Sequence, residues 1–195
     1  MQMSAWGRAA ILLFLLGACG GGALDAFYVS QGVKRYSSAM VAGPTLLGVP
    51  WWAPLLAGSA AVAIGLSHPL LDPLLAHSRT ARRLSTSIAA LGWLCLAYLL
   101  GAIPLAPFAR FGLLGLLYLN FWLLAGRSWQ NLIFSAVVAI TGTLIEMILV
   151  NAGIFSFPQN ADLLGVPAWL PWLYACASLA LGDLGRALIL LQRGG

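Results

Sequence analysis

Glu146 is the one carboxylate near the middle of an apolar run, in ITGTLIEMILVN. Charge is costly inside a bilayer, so an acid there is a functional suspect. It would bind a lipid hydroxyl, relay a proton or pair with Arg110; a packing residue would instead be protonated or hydrogen-bonded near Thr143 and Asn151. Asp183 and Arg186 stand three apart on one helix and so share a face. They read either as a local ion pair steadying a helix end or as a docking surface for another helix or a lipid headgroup. His68, Asp72 and His77 cluster in SHPLLDPLLAH, but Pro69 and Pro73 interrupt the face that three metal ligands would need. Pro69 is expected to end a helix and Asp72 to cap the segment after it. Cys19, Cys95 and Cys176 sit singly in apolar runs without CxxC spacing, which suggests neither a disulfide framework nor a zinc site. HExxH, GxSxG and phosphate-loop patterns are missing, and no Ser, His and Asp group as a triad. No enzymatic chemistry and no cofactor are expected.

These residues must be positioned by membrane helices. Of 195 residues, 61% are hydrophobic and only 8% charged, with a mean hydropathy of +0.92. Globular chains are about 25% charged, and a soluble domain of this size cannot hide so much apolar surface. The net charge of +5 is spread singly or in one short cluster between apolar runs, a topology signal rather than a nucleic-acid patch. The hydropathy pattern predicts an all-α, six-transmembrane-helix bundle forming a single membrane domain over 1–195, with spans at about 6–28, 50–69, 85–103, 107–125, 131–152 and 168–190. Arg8, Arg79, Arg82, Arg83, Arg127, Arg186 and Arg193 then fall on one side, against Lys34, Arg35 and Arg110 on the other. That bias predicts cytoplasmic N- and C-termini. Nine arginines against one lysine, with abundant Ala, Leu and Gly, suggest a GC-rich bacterial genome and hence an inner-membrane location. The segment ending at Cys19 has two readings: a lipoprotein signal, or a first span with Gly17 and Gly21 at GxxxG spacing.

The last apolar stretch, Gly165 to Gln192, is the one around which the chain is organised. Its entrance occurs twice: Gly48, Val49, Pro50, Trp52 and Pro54 match Gly165, Val166, Pro167, Trp169 and Pro171. Proline suits a helix entrance and tryptophan the headgroup level. A true repeat would send both helices the same way across the bilayer.

Four stretches together resemble the Insig (insulin-induced gene) family. Pro50-Trp51-Trp52-Ala53-Pro54 is similar to its WWVPP entrance, and Gly65 to Asp72 to its GLLYPxxD segment. Val150 to Phe155 is similar to VYNGVY, and Ala168 to Leu188 to SWLP…GNIGRQL. The resemblance implies a six-helix membrane bundle that binds oxysterols, retains the Scap escort protein, targets the reductase of sterol synthesis for degradation and lacks catalysis. This sequence departs from the family at Gly126, where an acidic residue engages Scap, and at Gly101 to Phe108, a shorter loop. Those departures argue against Scap or reductase binding.

The family's sterol lies against its third and fourth spans, which implies lipid contacts at Cys95, Leu99, Ala109, Leu113 and Trp122. Ala109 replaces a polar glutamine, leaving a greasier pocket. The expected ligand is a neutral lipid, sterol-like or a diacylglycerol, selected by shape and by Glu146, Asn120, Thr141, Thr143 and Asn151. Exposed Trp and Gly faces permit a homo-oligomer. The alternative function is a small transporter or flippase subunit using Glu146.

Overall fold

The computed structural model describes residues 4–38, 43–75, 84–125, 127–159 and 161–193, so His77, Arg79, Arg82, Arg83 and Gly126 lie outside the described residues. Helices α1 (Ala5–Leu16) and α2 (Gly22–Ser30), joined by a π-turn at Gly17–Gly21, form one continuous span. The others are α3 (Ala53–Leu71), α4 (Leu84–Ala102), α5 (Pro107–Leu124), α6 (Trp129–Asn151) and α7 (Leu170–Arg193). All six spans are long and apolar enough to cross a membrane. Ser128 caps α6 by accepting the Asn131 N–H at 3.2 Å, while Pro54 and Pro107 open α3 and α5 where a missing N–H costs nothing.

Helix α7 is the hub. Its spanning stretch is 83% buried within the protein, against 17–33% for the other five. A helix apolar all round belongs in a core, and the outer helices turn their remaining apolar faces to lipid. Leu173, Cys176, Leu179 and Ala180 of α7 pack with Ala90 and Ala97 of α4 and Leu114 of α5.

The repeat is built into the backbone. Short strands β2 (Thr45–Leu46) and β3 (Val49–Pro50) pair antiparallel around Leu47 and Gly48, whose φ values are 54° and 80°. Before α7, Leu163 pairs with Val166 around Leu164 (50°) and Gly165 (93°). Positive φ at both turn residues marks a type I′ hairpin turn. The match therefore begins at Leu46-Leu47-Gly48 and Leu163-Leu164-Gly165, earlier than Gly48 alone suggests. Strands β1 (Arg35–Tyr36) and β4 (Phe155–Ser156) pair antiparallel and tie the two loops together.

Helices α3 and α7 run parallel, with Ala61 near Ala177 and Leu181, and Asp72 on Arg186. At their crossing a Cβ on Gly185 would stand 1.8 Å from the Gly65 carbonyl oxygen, and one on Gly182 would stand 2.3 Å from the His68 ring. The repeat offset (165 − 48 = 117) carries Gly65 to Gly182 and His68 to Gly185. Each close contact is thus the counterpart of the other, as across an isologous two-fold interface.

Pro69 does not end α3, which continues to Leu71 with Asp72 at its C-cap. Proline removes the donor for the carbonyl four residues earlier, here Gly65. That carbonyl faces the Gly185 Cα instead, an approach at which a Cα–H can substitute for the missing N–H. The interhelical crossing compensates for the proline.

Candidate functional site

Two polar layers lie at opposite ends of α7, separated by the twelve residues from Tyr174 to Arg186, about 18 Å of helix. In the first, Arg186 donates from Nε and Nη2 to both oxygens of Asp72, at 2.9 and 2.7 Å, and from Nη1 to Asn131 Oδ1 at 3.2 Å. Asp183 stands 3.5 Å from Nη1. The nearest partner of Arg186 is therefore Asp72 on α3, with Asp183 a secondary one. Asp72 is fully buried and docks α7 onto α3. His68 stacks on Phe134 at 4.0 Å and meets Ser178 Oγ at 3.1 Å, so it packs the same crossing. Among the described residues no group of three could hold a metal ion.

The second layer surrounds Glu146, five residues before the end of α6 rather than at mid-span. Tyr174 OH donates to Glu146 Oε1 at 2.8 Å, whereas Oε2 is buried without a partner. Lys34, in the loop after α2, pairs with Asp25 at 3.1 Å and sits 3.9 Å from the Phe155 ring centroid. Burial alone would pull the Lys34 ammonium down, but the carboxylates of Glu146 and Asp25 outweigh it and hold it above the usual lysine range. Tyr36 donates to Asp25, and burial together with that carboxylate pushes its phenol up. Tyr28 lies against Tyr98, ring centroids 4.9 Å apart, and edge-on to Trp169. Tyr28 OH and Trp169 Nε1 are also buried without partners.

The remaining sequence-derived positions scatter. Cys95 and Leu99 are exposed on α4, Ala109 is exposed on α5, and Leu113 is half-buried. Trp122 donates to the Ser128 carbonyl at 3.1 Å, and its thirteen residues from Ala109 correspond to about 20 Å of helix. It belongs to the other end of the bundle. Asn120, Thr141 and Asn151 bond carbonyls of their own helices at 2.8 Å from exposed faces, so they do not point into a shared site. Thr143 is buried. Arg110 does not pair with Glu146; it donates to the Leu105 carbonyl at 3.1 Å and lies over Trp169.

Two pairings escaped the sequence reading, Asp72 with Arg186 and Lys34 with Asp25. The first had a signal. Asp72 stands 22 residues after Pro50 and Arg186 stands 19 after Pro167, which puts them within one turn of the same level on parallel repeated helices.

No family model matches the chain. The insulin-induced gene 1 protein of Danio rerio is 29% identical over 188 residues, covering 93% of this chain and 72% of that one. The insulin-induced gene 2 protein of Xenopus laevis is 29% identical over 189 residues, covering 93% and 84%. A crystal structure of a mycobacterial Insig homolog, from Mycobacterium vanbaalenii, superposes with a TM-score of 0.80 over 96% of each chain, at 24% identity. In sequence and in fold the chain is similar to Insig proteins over nearly its whole length. It is a multi-pass integral membrane protein. The four motif stretches fall within the architecture just described: the family's GLLYPxxD and GNIGRQL segments correspond to the α3–α7 crossing and its Asp72–Arg186 clamp. A second structure of the mycobacterial Insig homolog is a cross-linked trimer.

Proposed function

We propose that this Insig homologue binds a neutral membrane lipid, sterol-like or a diacylglycerol, between its helices and reports occupancy without turning the lipid over. The observation that supports this reading is the buried, unpartnered Oε2 of Glu146, held in place because Oε1 takes the Tyr174 hydroxyl. A buried acceptor left unpaired is costly, and a lipid hydroxyl would satisfy it. Tyr28 OH and Trp169 Nε1 offer donors for the oxygens of the same uncharged head. An anionic head is disfavoured by Glu146 and Asp25. Transfer of the apolar body from lipid gains little, so selectivity rests on shape and these few groups. Cys95, Leu99, Ala109 and Leu113 would flank the acyl or ring body along the α4–α5 seam. Trp122, at the far end, is left to helix packing.

Occupancy alters a partner surface only if the two helix packings bind lipid with different affinity. The partner best supported is a second copy, by likeness to the cross-linked mycobacterial trimer; a bacterial origin would place the whole chain, acting as one domain, in the inner membrane. Native mass spectrometry of protein extracted with its lipids tests the reading. A bound neutral lipid that is lost in Glu146→Gln supports it, and a lipid-free protein that gains no thermal stability from sterol or diacylglycerol contradicts it. The nearness of Lys34 to Glu146 favours a second reading, a proton-coupled carrier. A carrier would lose flux in Glu146→Gln, whereas a sensor has none to lose.

A further inference from the structure

The two hairpins that open α3 and α7 carry an anomaly. A type I′ turn asks for Asn, Asp or Gly, because both central residues take positive φ. Here the first central residue is leucine in both copies, Leu47 at 54° and Leu164 at 50°. A leucine in the left-handed region crowds its Cβ against the following carbonyl. Neither gains packing within the protein in return: Leu47 and Leu164 are each 76% exposed, and their neighbours Leu46 and Leu163 are 77% and 38% exposed. Trp51, immediately after the first hairpin, is 57% exposed. Leucine is therefore the wrong residue for this turn in water, twice over.

The position of the turns supplies the explanation. Each hairpin leads within a few residues into a spanning helix, and α3 and α7 are parallel, so both tips lie at the same face of the membrane. Each turn glycine leans on the end of the preceding span: a Cβ on Gly48 would stand 2.9 Å from Val29, and one on Gly165 the same distance from Val150. Each tip is thus held beside the end of the span that precedes it, α2 for the first and α6 for the second. We propose that the Leu46–Leu47 and Leu163–Leu164 tips are a paired membrane-interface anchor, seated among the headgroups and upper acyl carbons of the leaflet that α3 and α7 enter. Leucines there are buried against lipid while the hairpin backbone pairs with itself, which meets the rule that backbone groups near hydrocarbon need internal partners. Of the charges at this end, Lys34 is turned inward onto Asp25, while Arg35 and, beside the second tip, Asp162 are exposed and of opposite sign. The two-fold arrangement fixes the ends of both central helices at one depth.

Depth-dependent quenching tests this. Leu47→Cys and Leu164→Cys are labelled with bimane in a background where the exposed Cys19 and Cys95 are replaced by Ala, and the protein is reconstituted in phosphatidylcholine vesicles. Ser156→Cys, on exposed β4, is the water-facing reference. The expected result is quenching at both tips by lipids carrying a nitroxide at the headgroup or upper acyl chain, at least twofold above the reference, with iodide quenching reduced at least threefold. A tip quenched by iodide like the reference and untouched by lipid nitroxides overturns the proposal. Shielding from both quenchers, with label-to-label proximity between copies, assigns the tips to a second chain and also overturns it. An unlabelled pair of variants checks the same idea. Leu47→Asn with Leu164→Asn suits the turn better, so it should keep or raise thermal stability in short-chain detergent while lowering it in vesicles. An equal effect in both media contradicts the anchor.

Discussion

Replacing Arg186 with methionine removes the cation from a site where Asp72 is fully buried and Asp183 nearly so. The wild-type guanidinium makes two short bonds to Asp72, at 2.9 and 2.7 Å, and one to Asn131. Arg186→Met leaves the Asp72 carboxylate buried without its cation, the situation that costs about 3–5 kcal/mol when one partner of a buried pair is deleted. Asp72→Asn is gentler. Arg186 keeps Asn131 and the Asp183 carboxylate at 3.5 Å, so the loss is of the order of one charge-assisted hydrogen bond, about 1.5–3 kcal/mol. The double variant Asp72→Asn with Arg186→Met should recover part of the single Arg186 loss, because no ionised Asp72 then remains. Thermal or denaturant unfolding of the purified protein in one detergent, at one lipid content, provides the three differences. The account requires Arg186→Met to be the most damaging and the double to be milder than the sum of the singles. Equal single losses, or an Arg186→Met protein within about 1 kcal/mol of wild type, would refute the assignment of a buried clamp between α3 and α7.

Gly185→Ala should cost more than about 3 kcal/mol or abolish folding, because its methyl would meet the Gly65 carbonyl at 1.8 Å. Gly92→Ala on the open face of α4, where nothing lies within 4 Å, should instead be neutral or gain about 0.5–1 kcal/mol in an unfolding assay. Tyr174→Phe removes the donor to Glu146 Oε1 and should weaken neutral-lipid stabilisation, read as a smaller rise in melting temperature on adding diacylglycerol. Lys34 has its pKa raised on folding, so its contribution is complete below the ordinary lysine value of about 10.4 and is lost only as pH climbs beyond it. Melting temperature should therefore not fall through any Lys34 titration between pH 6 and 9, and Lys34→Met should lower it throughout that window.

The six spans were legible because each is a run of apolar residues bounded by prolines, glycines or charges, and the bilayer fixes their length. The burial of the last helix was not legible in the same way: its entrance tryptophans read as headgroup-level residues, yet Trp169 is fully buried and the span is covered by the others. The repeat was visible at GVP, but its first two leucines were not, because leucine is a poor predictor of positive φ. Pro69 misled for a physical reason. A proline ends a helix when its orphaned carbonyl has nowhere to go, and here α7 supplies the contact from 120 residues later (185 − 65). Long-range charge pairs were hidden in the same way, since Asp72 and Arg186 reveal each other only once α3 and α7 are known to run parallel. The lipid-contact positions carried over by resemblance depend most on register. One residue of register turns a helical side chain by about 100°, and Cys95, Leu99 and Ala109 stand on exposed faces while Leu113 is half-buried. Glu146 needed no alignment, only the cost of charge in hydrocarbon, and it does lie beside the other buried polar groups.

Occupancy of the Glu146 layer by a neutral lipid is the claim on which the functional reading stands. Its most direct measurement is native mass spectrometry of the wild type and Glu146→Gln, extracted gently from membranes, with the bound species identified by fragmentation. The account predicts one uncharged, hydroxyl-bearing lipid per chain on the wild type and its loss from a variant that remains folded. A wild-type protein that flies free of lipid, or that carries the same lipid with and without the carboxylate, contradicts it.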